Sequence, residues 1–213
     1  MENNLSWRDK ERLARKEEIV RAAEKLFLEN GFENTSVVDI AREATFTIRT
    51  IYRYFVSKED LLFAIAIREI EKLNQYLNAA LEEGKSAFEK IQLSNRAYYR
   101  FYKEHPGIFG LINFRPSNKL YRKESPNYVQ LLKLQSASFE KYTGIIEQGK
   151  LDGSIRPDID PKKAAHFGII SGINFLNAMS NASKEYWENY KLEEGDFILF
   201  GFDLLCDSLR PVK

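Results

Sequence analysis

The sequence predicts an all-α fold of about nine helices, on three observations. Apolar residues recur at helical spacing in most segments, proline and glycine are scarce inside the long stretches, and no alternating strand pattern of any length appears. Residues 8–29 carry Ile19, Ala23, Leu26 and Phe27 on one stripe with charges elsewhere, and Gly31 follows as a stop. Ser36 with Asp39 three residues on reads as a capping box for a short helix that turns Ile40 and Ala41 inward, with Thr35 as the alternative cap. A break at residues 44–46 precedes Thr47, the expected N-cap of another short helix bearing Ile51, Tyr52 and Phe55.

Ser57 with Asp60 forms a second capping-box pattern. It opens a long helix through Leu61, Leu62, Ile65, Leu73 and Leu77 to about Glu83. Residues 86–104 form the next helix, ending before His105 and Pro106, and a short apolar segment follows at 108–114. Pro116 and Pro126 bracket a polar, basic loop, and a long helix runs over 126–149. The turn-rich stretch 151–161 leads to two last helices over 161–181 and 193–209, with Asp158 and Asp160 expected to cap the first of these.

Composition narrows the class. The chain has 213 residues, 44% of them hydrophobic, enough for one large domain or two small ones with a real core. Its net charge is +1, so any footprint for a polyanion must be local. One cysteine, Cys206, builds no intrachain disulfide, and no run approaches the ~18 apolar residues of a membrane span. The N-terminal stretch MENNLSWRDKERLARKEE lacks the apolar segment of a signal peptide. A cytoplasmic protein with no membrane partner is expected. Catalysis finds little support: His105, His166 and Cys206 lie in separate regions without metal-ligand spacing, and neither a phosphate loop nor a nucleophile elbow appears. No enzyme, metal or cofactor is expected.

Two short helices joined by a tight turn after a longer helix are a helix-turn-helix arrangement, whose second helix must show one apolar face to its own domain and one donor-rich face to a groove. Ile51 and Phe55 make the inward face, while Arg49, Thr50, Arg53 and Tyr54 project elsewhere. Residues 44–58 carry Arg49, Arg53 and Lys58 and no acid, a local basic footprint.

Residues 19–62 resemble the N-terminal domain of the tetracycline-repressor (TetR) family. The resemblance rests on Ala23, Phe27, Gly31, Phe32, Thr35, Ser36, Ile40, Ala41, Ala44, Thr50, Tyr52, Tyr54, Phe55, Lys58, Glu59 and Leu61 in register. It implies a helix-turn-helix DNA-binding domain over residues 1–56, with residues 36–58 as the reading head for a double-stranded DNA operator, and an effector-binding, dimerising helical domain over 57–213. By resemblance the recognition helix covers about 47–54. Ser36, Thr50, Tyr52 and Lys58 stand where the family meets phosphates, while Ile48, Arg49 and Arg53 reach base edges; Thr47 and Tyr54 complete the expected DNA-binding set. Arginine at such a site favours guanine, whose O6 and N7 accept two donors. Two positions depart from the family: Thr45 replaces a common turn glycine, and Arg49 stands where glycine is frequent.

The resemblance further implies a repressor that acts as a homodimer on a near-palindromic operator and is released by a small molecule. Aromatics crowd residues 98–142 (Tyr121 among them), so a largely apolar or aromatic effector is expected, with Tyr98, Tyr102, Phe109, Tyr128 and Phe139 as walls and Gln135, Ser171 and Asn174 as polar hooks. A packed aromatic core is the alternative. Gly168 and Gly172, with Phe197, Gly201, Leu204, Leu205 and Ser208, are expected at the dimer interface; close packing within one subunit is the alternative. A helix-turn-helix protein governed by a protein partner, without an effector, is the other functional reading.

Overall fold

The computed structural model describes residues 6–114, 116 and 125–211, and among them are ten helices and no strand. They are α1 (Trp7–Asn30), α2 (Val37–Glu43), α3 (Ile48–Tyr54), α4 (Lys58–Glu83), α5 (Ala87–Glu104), α6 (Pro106–Asn113), α7 (Pro126–Asp152), α8 (Pro161–Ser180), α9 (Lys184–Tyr190) and α10 (Glu194–Asp207). The helix beyond the expected nine is α9, begun by the Ser183 cap, which accepts from the Tyr186 N–H, and stopped by Lys191 in the left-handed region at φ 53°. The chain forms two compact units, Met1–Glu69 with Phe114–Leu132, and Ile70–Asn113 with Lys133–Lys213.

In the first unit, Ile19, Ala23 and Phe27 of α1 bury with Ile40 and Ala41 of α2, Ile51 of α3, Phe55, and Leu61, Leu62 and Ile65 of α4. Ser36 is the cap of α2: it and Asp39 satisfy each other's backbone N–H groups. Thr35 is instead buried, its hydroxyl donating to the carbonyls of Leu26 (3.2 Å) and Gly31 (2.9 Å). Arg68, half-way along α4, pairs with Glu17 (2.9 Å) and Glu24 (2.5 Å) of α1 and with its neighbour Glu69 (2.9 Å). Burial works against the guanidinium charge, but the bonds from Glu24 and Glu69 outweigh it and raise its pKa.

This unit extends past residue 56, the boundary expected from the sequence. Asp60, 2% exposed, accepts from the Ser125 hydroxyl (2.6 Å) and the Asn127 N–H (3.1 Å), and the Asn127 side chain donates to the Asp60 carbonyl (3.2 Å). The rings of Phe63 and Tyr128 lie 5.2 Å apart. Asp60 also departs from the simple capping box: its N–H donates to Ser57, but its carboxylate accepts from Val56 (3.3 Å).

The second unit packs Ala87, Phe88 and Ile91 of α5 against Ile146 of α7, Ile155, Ala165 of α8 and Cys206 of α10. Gly149 makes this packing possible, since a Cβ there would stand 2.5 Å from Ile155 and 2.9 Å from Ala87. Asp160 caps α8, accepting from the Lys163 N–H at 2.8 Å, and Pro161 begins the helix. Asp158, expected to share that role, holds Arg156 instead, at 2.6 Å and 2.7 Å.

Candidate nucleic-acid interface

The turn between α2 and α3 sets the reading helix. The Thr45 N–H donates to the Arg42 carbonyl (3.1 Å) and the Phe46 N–H to the Ala41 carbonyl (2.9 Å), the paired bonds of a Schellman stop. That stop demands a left-handed residue, and Thr45 supplies it at φ 56°. A β-branched residue there costs about 1–2 kcal/mol, offset in part by its hydroxyl donating to the Ala44 carbonyl at 2.7 Å. Thr47 then caps α3, accepting from the Thr50 N–H at 3.1 Å, with the two threonine hydroxyls 2.9 Å apart.

Seven residues of helix present two faces. Ile51, 1% exposed, and Phe55, 1% exposed, anchor the inner one. Ile48, Arg49, Tyr52 and Arg53 stand exposed together on the other, with Thr50 and Tyr54 half-buried beside them. Arg49 and Arg53 make no ion pair with a described residue, so their guanidinium donors stay available, while the Arg53 group lies 5.5 Å from the Tyr54 ring. Ser36 is exposed at the start of α2, where the Ser36 bonds hold the Asp39 carboxyl below its usual range.

Lys58 has a structural task. Its ammonium donates to the carbonyls of Phe32 (2.8 Å) and Thr35 (2.9 Å) and lies 4.2 Å from the centre of the Phe32 ring. Two of its three donors thus tie the start of α4 to the α1–α2 turn, and one remains.

Residues 19–65 match the family model described as bacterial regulatory proteins, tetR family. An HTH-type transcriptional regulator of Staphylococcus aureus (strain MRSA252) is 30% identical over 143 residues, covering 67% of this chain and 75% of the relative. The chain belongs to the tetR family. This tetR-family regulator is also 25% identical over 157 residues to the fatty acid metabolism regulator protein of Bacillus subtilis (strain 168), covering 72% and 78% of the two. Among solved structures, a tetR-family regulatory protein from Rhodococcus RHA1 superposes with TM-score 0.67 at 19% identity, over 93% of this chain and 98% of that one. The transcriptional regulator FadR of Bacillus subtilis in complex with stearoyl-CoA superposes with TM-score 0.64 at 21% identity, over 89% and 95%. The all-α fold and helix-turn-helix head of a transcriptional regulator thus stand.

The expected effector residues divide between the units. Tyr128 lies in the first unit, and the other seven lie in the second. Of these, Phe109 sits 5.5 Å from Tyr98 and 5.6 Å from Tyr102, ring centre to ring centre, so these three rings pack on one another. Burial raises the Tyr98 hydroxyl pKa, and burial with the Glu194 bond pushes Tyr102 up to about 12. Phe139 stacks on His166 at 4.1 Å. Gln135 and Ser171 are half-buried; Asn174 is exposed and bonds the Ile170 carbonyl. Residues 117–124, with Tyr121 and most of the basic loop, lie outside the described residues.

Two glycines of α8 and α10 meet rings of their own chain. A Cβ on Gly201 would lie 2.5 Å from the Phe175 ring, and one on Gly172 would lie 3.5 Å from Phe202. Phe197 packs on Phe175 and Trp187. Leu205 is half-buried, while Gly168, Leu204 and Ser208 are exposed. The sequence reading missed Phe167, Ile170 and Phe200, which are 66%, 49% and 58% exposed. Their spacing, three apart on α8 and four from Leu204 on α10, was the available signal. It also missed Arg8, Arg12 and Arg15 of α1, which with Glu11, Arg53 and Tyr54 line an open cleft of about 470 Å³.

Proposed function

We propose that this regulator is a repressor that binds a near-palindromic operator as a homodimer in the cytoplasm, with α3 of each subunit in successive major grooves about one DNA turn apart. The observation that carries the reading is the exposed face of α3, with two arginines that make no ion pair among the described residues, on a helix whose other face is locked by Ile51 and Phe55. Arg49, Arg53 and Ile48 read base edges. Ser36, Thr47, Thr50, Tyr52, Tyr54 and the remaining donor of Lys58 hold the backbone. Phe167, Ile170, Phe200 and Leu204, left to water in a single chain, support a second copy as the partner of α8 and α10.

A largely apolar or aromatic small molecule releases the DNA. The Bacillus subtilis structure holds stearoyl-CoA, whose long apolar tail is the chemistry that walls such as Tyr98, Tyr102 and Phe109 suit. Those rings pack on one another, so entry of the effector parts them. Release requires that the effector bind one arrangement of the dimer more tightly than the other.

Selection from a random pool of duplexes, followed by affinity measurement at several salt concentrations, tests the reading. A palindrome should be enriched, and Arg49→Ala should relax preference at one base pair by about 1–3 kcal/mol. Equal affinity for selected and scrambled duplexes at physiological salt would overturn it. A screen of apolar and aromatic compounds for raised melting temperature and DNA release tests the effector. Release by none of them would favour control by a protein partner.

A further inference from the structure

We propose that the first three turns of α1 form a second DNA contact, an arginine rail that grips the phosphates flanking the sequence read by α3. The proposal rests on the DNA-binding reading above and extends it to residues before position 19, where the match to the family model begins.

Arg8, Arg12 and Arg15 are spaced four and three apart, so they stand on one face of α1 over about 10 Å of helix. All three are exposed, and they share the cleft with Arg53 of α3. Lys16, one turn beyond Arg12, lies 5.6 Å from the ring of Phe55, the residue that ends α3. The basic row therefore begins at the C-terminal end of the reading helix and runs outward along α1. Four guanidinium groups line the cleft against one carboxylate, Glu11, and that carboxylate is taken by Arg15 at 2.5 Å. Arg8 and Arg12 have no acidic partner among the described residues.

A cluster of this kind is self-repelling when empty, and an external anion turns the repulsion into attraction. The planar guanidinium fork matches phosphate oxygens in pairs, which makes arginine suited to the task. The length of the row fits a polyanion: about 10 Å spans roughly three phosphates of one strand at 3.4 Å rise each. The segment as a whole carries nearly balanced charge, with Asp9, Glu17 and Glu18 among its residues. The positive groups are gathered on the side towards Arg53, which a merely solvated helix does not require.

The test uses the full-length protein and a duplex selected by it, in two lengths: trimmed to the enriched sequence, or extended by ten base pairs on each side. Arg8→Ala with Arg12→Ala should lower the steepness of the log affinity against log salt plot by about two per subunit on the extended duplex. The same pair should leave the trimmed duplex and the enriched sequence unaffected. Arg8→Lys with Arg12→Lys should keep most of the slope, and because both positions are exposed, the helical circular dichroism and the melting temperature should hold in each variant. An unchanged slope on the extended duplex, or an equal loss on both lengths, would overturn the rail. Stabilisation of the wild type by millimolar inorganic phosphate, lost in the alanine pair with no effect of flank length, would assign the cleft to a free anion and likewise overturn it. Enrichment of no sequence at all defeats the operator reading instead, and the rail is then judged by the same slope on random duplexes.

Discussion

Lys58 offers the sharpest separation of a structural from a DNA-binding role. Lys58→Met keeps the apolar stem and removes the ammonium. The structure loses two charge-assisted bonds, to Phe32 and Thr35, and a cation lying on the Phe32 ring. A bond to a charged group contributes about 1.5–3 kcal/mol when well shielded. Lys58 is half-buried, so water takes over part of each bond, and the two together are worth about 2 kcal/mol. The ring contact adds about 0.5 kcal/mol. A loss near 2–3 kcal/mol lowers the melting temperature by roughly 4–12 °C for a chain of this size. Thermal unfolding followed by circular dichroism checks this; a midpoint within about 1 °C of wild type would refute it. Salt titration of operator binding by the same variant reads the third donor. A slope flatter by about one confirms a phosphate contact, and an unchanged slope confines Lys58 to holding the head together.

Other perturbations probe other parts. Asp60→Ala should cost about 2–4 kcal/mol, because it leaves the buried Ser125 hydroxyl and Asn127 N–H without their acceptor; a urea midpoint equal to wild type would contradict this. Gly149→Ala should cost about 1–3 kcal/mol despite alanine's better helix propensity, since the new Cβ meets Ile155 at 2.5 Å, and Ile155→Val should recover part of the loss in the same assay. The Cys206 thiol, pushed up to about 11 by burial, holds little thiolate at pH 8. Alkylation should therefore be slow in the native protein and fast in denaturant, and comparable rates in the two states would show the thiol to be open.

The sequence foretold most where local rules act alone. Ser36, Thr47 and Asp160 cap helices as their side-chain chemistry dictates, and Ile40, Ala41, Ile51 and Phe55 face the core as their spacing requires. The reading head was legible because its turn and caps are local and lie close together in the sequence. Long-range pairing escaped. Nothing near Asp60 announces that its partners stand at 125 and 127, and nothing near Lys58 announces the carbonyls at 32 and 35. The glycines of α8 and α10 show the same limit: their spacing signals close approach, but the sequence cannot say to which neighbour, and in the fold Gly201 meets Phe175 of its own chain. Asp158 was drawn away from capping by Arg156 only two residues before it, a competition between two local bonds that the pattern left undecided.

The Asp60 bonds also bear on modularity. A reading head cut from the gene at Glu69 would carry Asp60 without Ser125 and Asn127, and Phe63 without Tyr128. The segment that closes the head follows Glu69 only after the 44 intervening residues Ile70–Asn113, so the head cannot be completed until the chain returns. Grafting this head onto another sensor therefore calls for a two-piece transplant, α1 to the first turns of α4 together with the opening of α7.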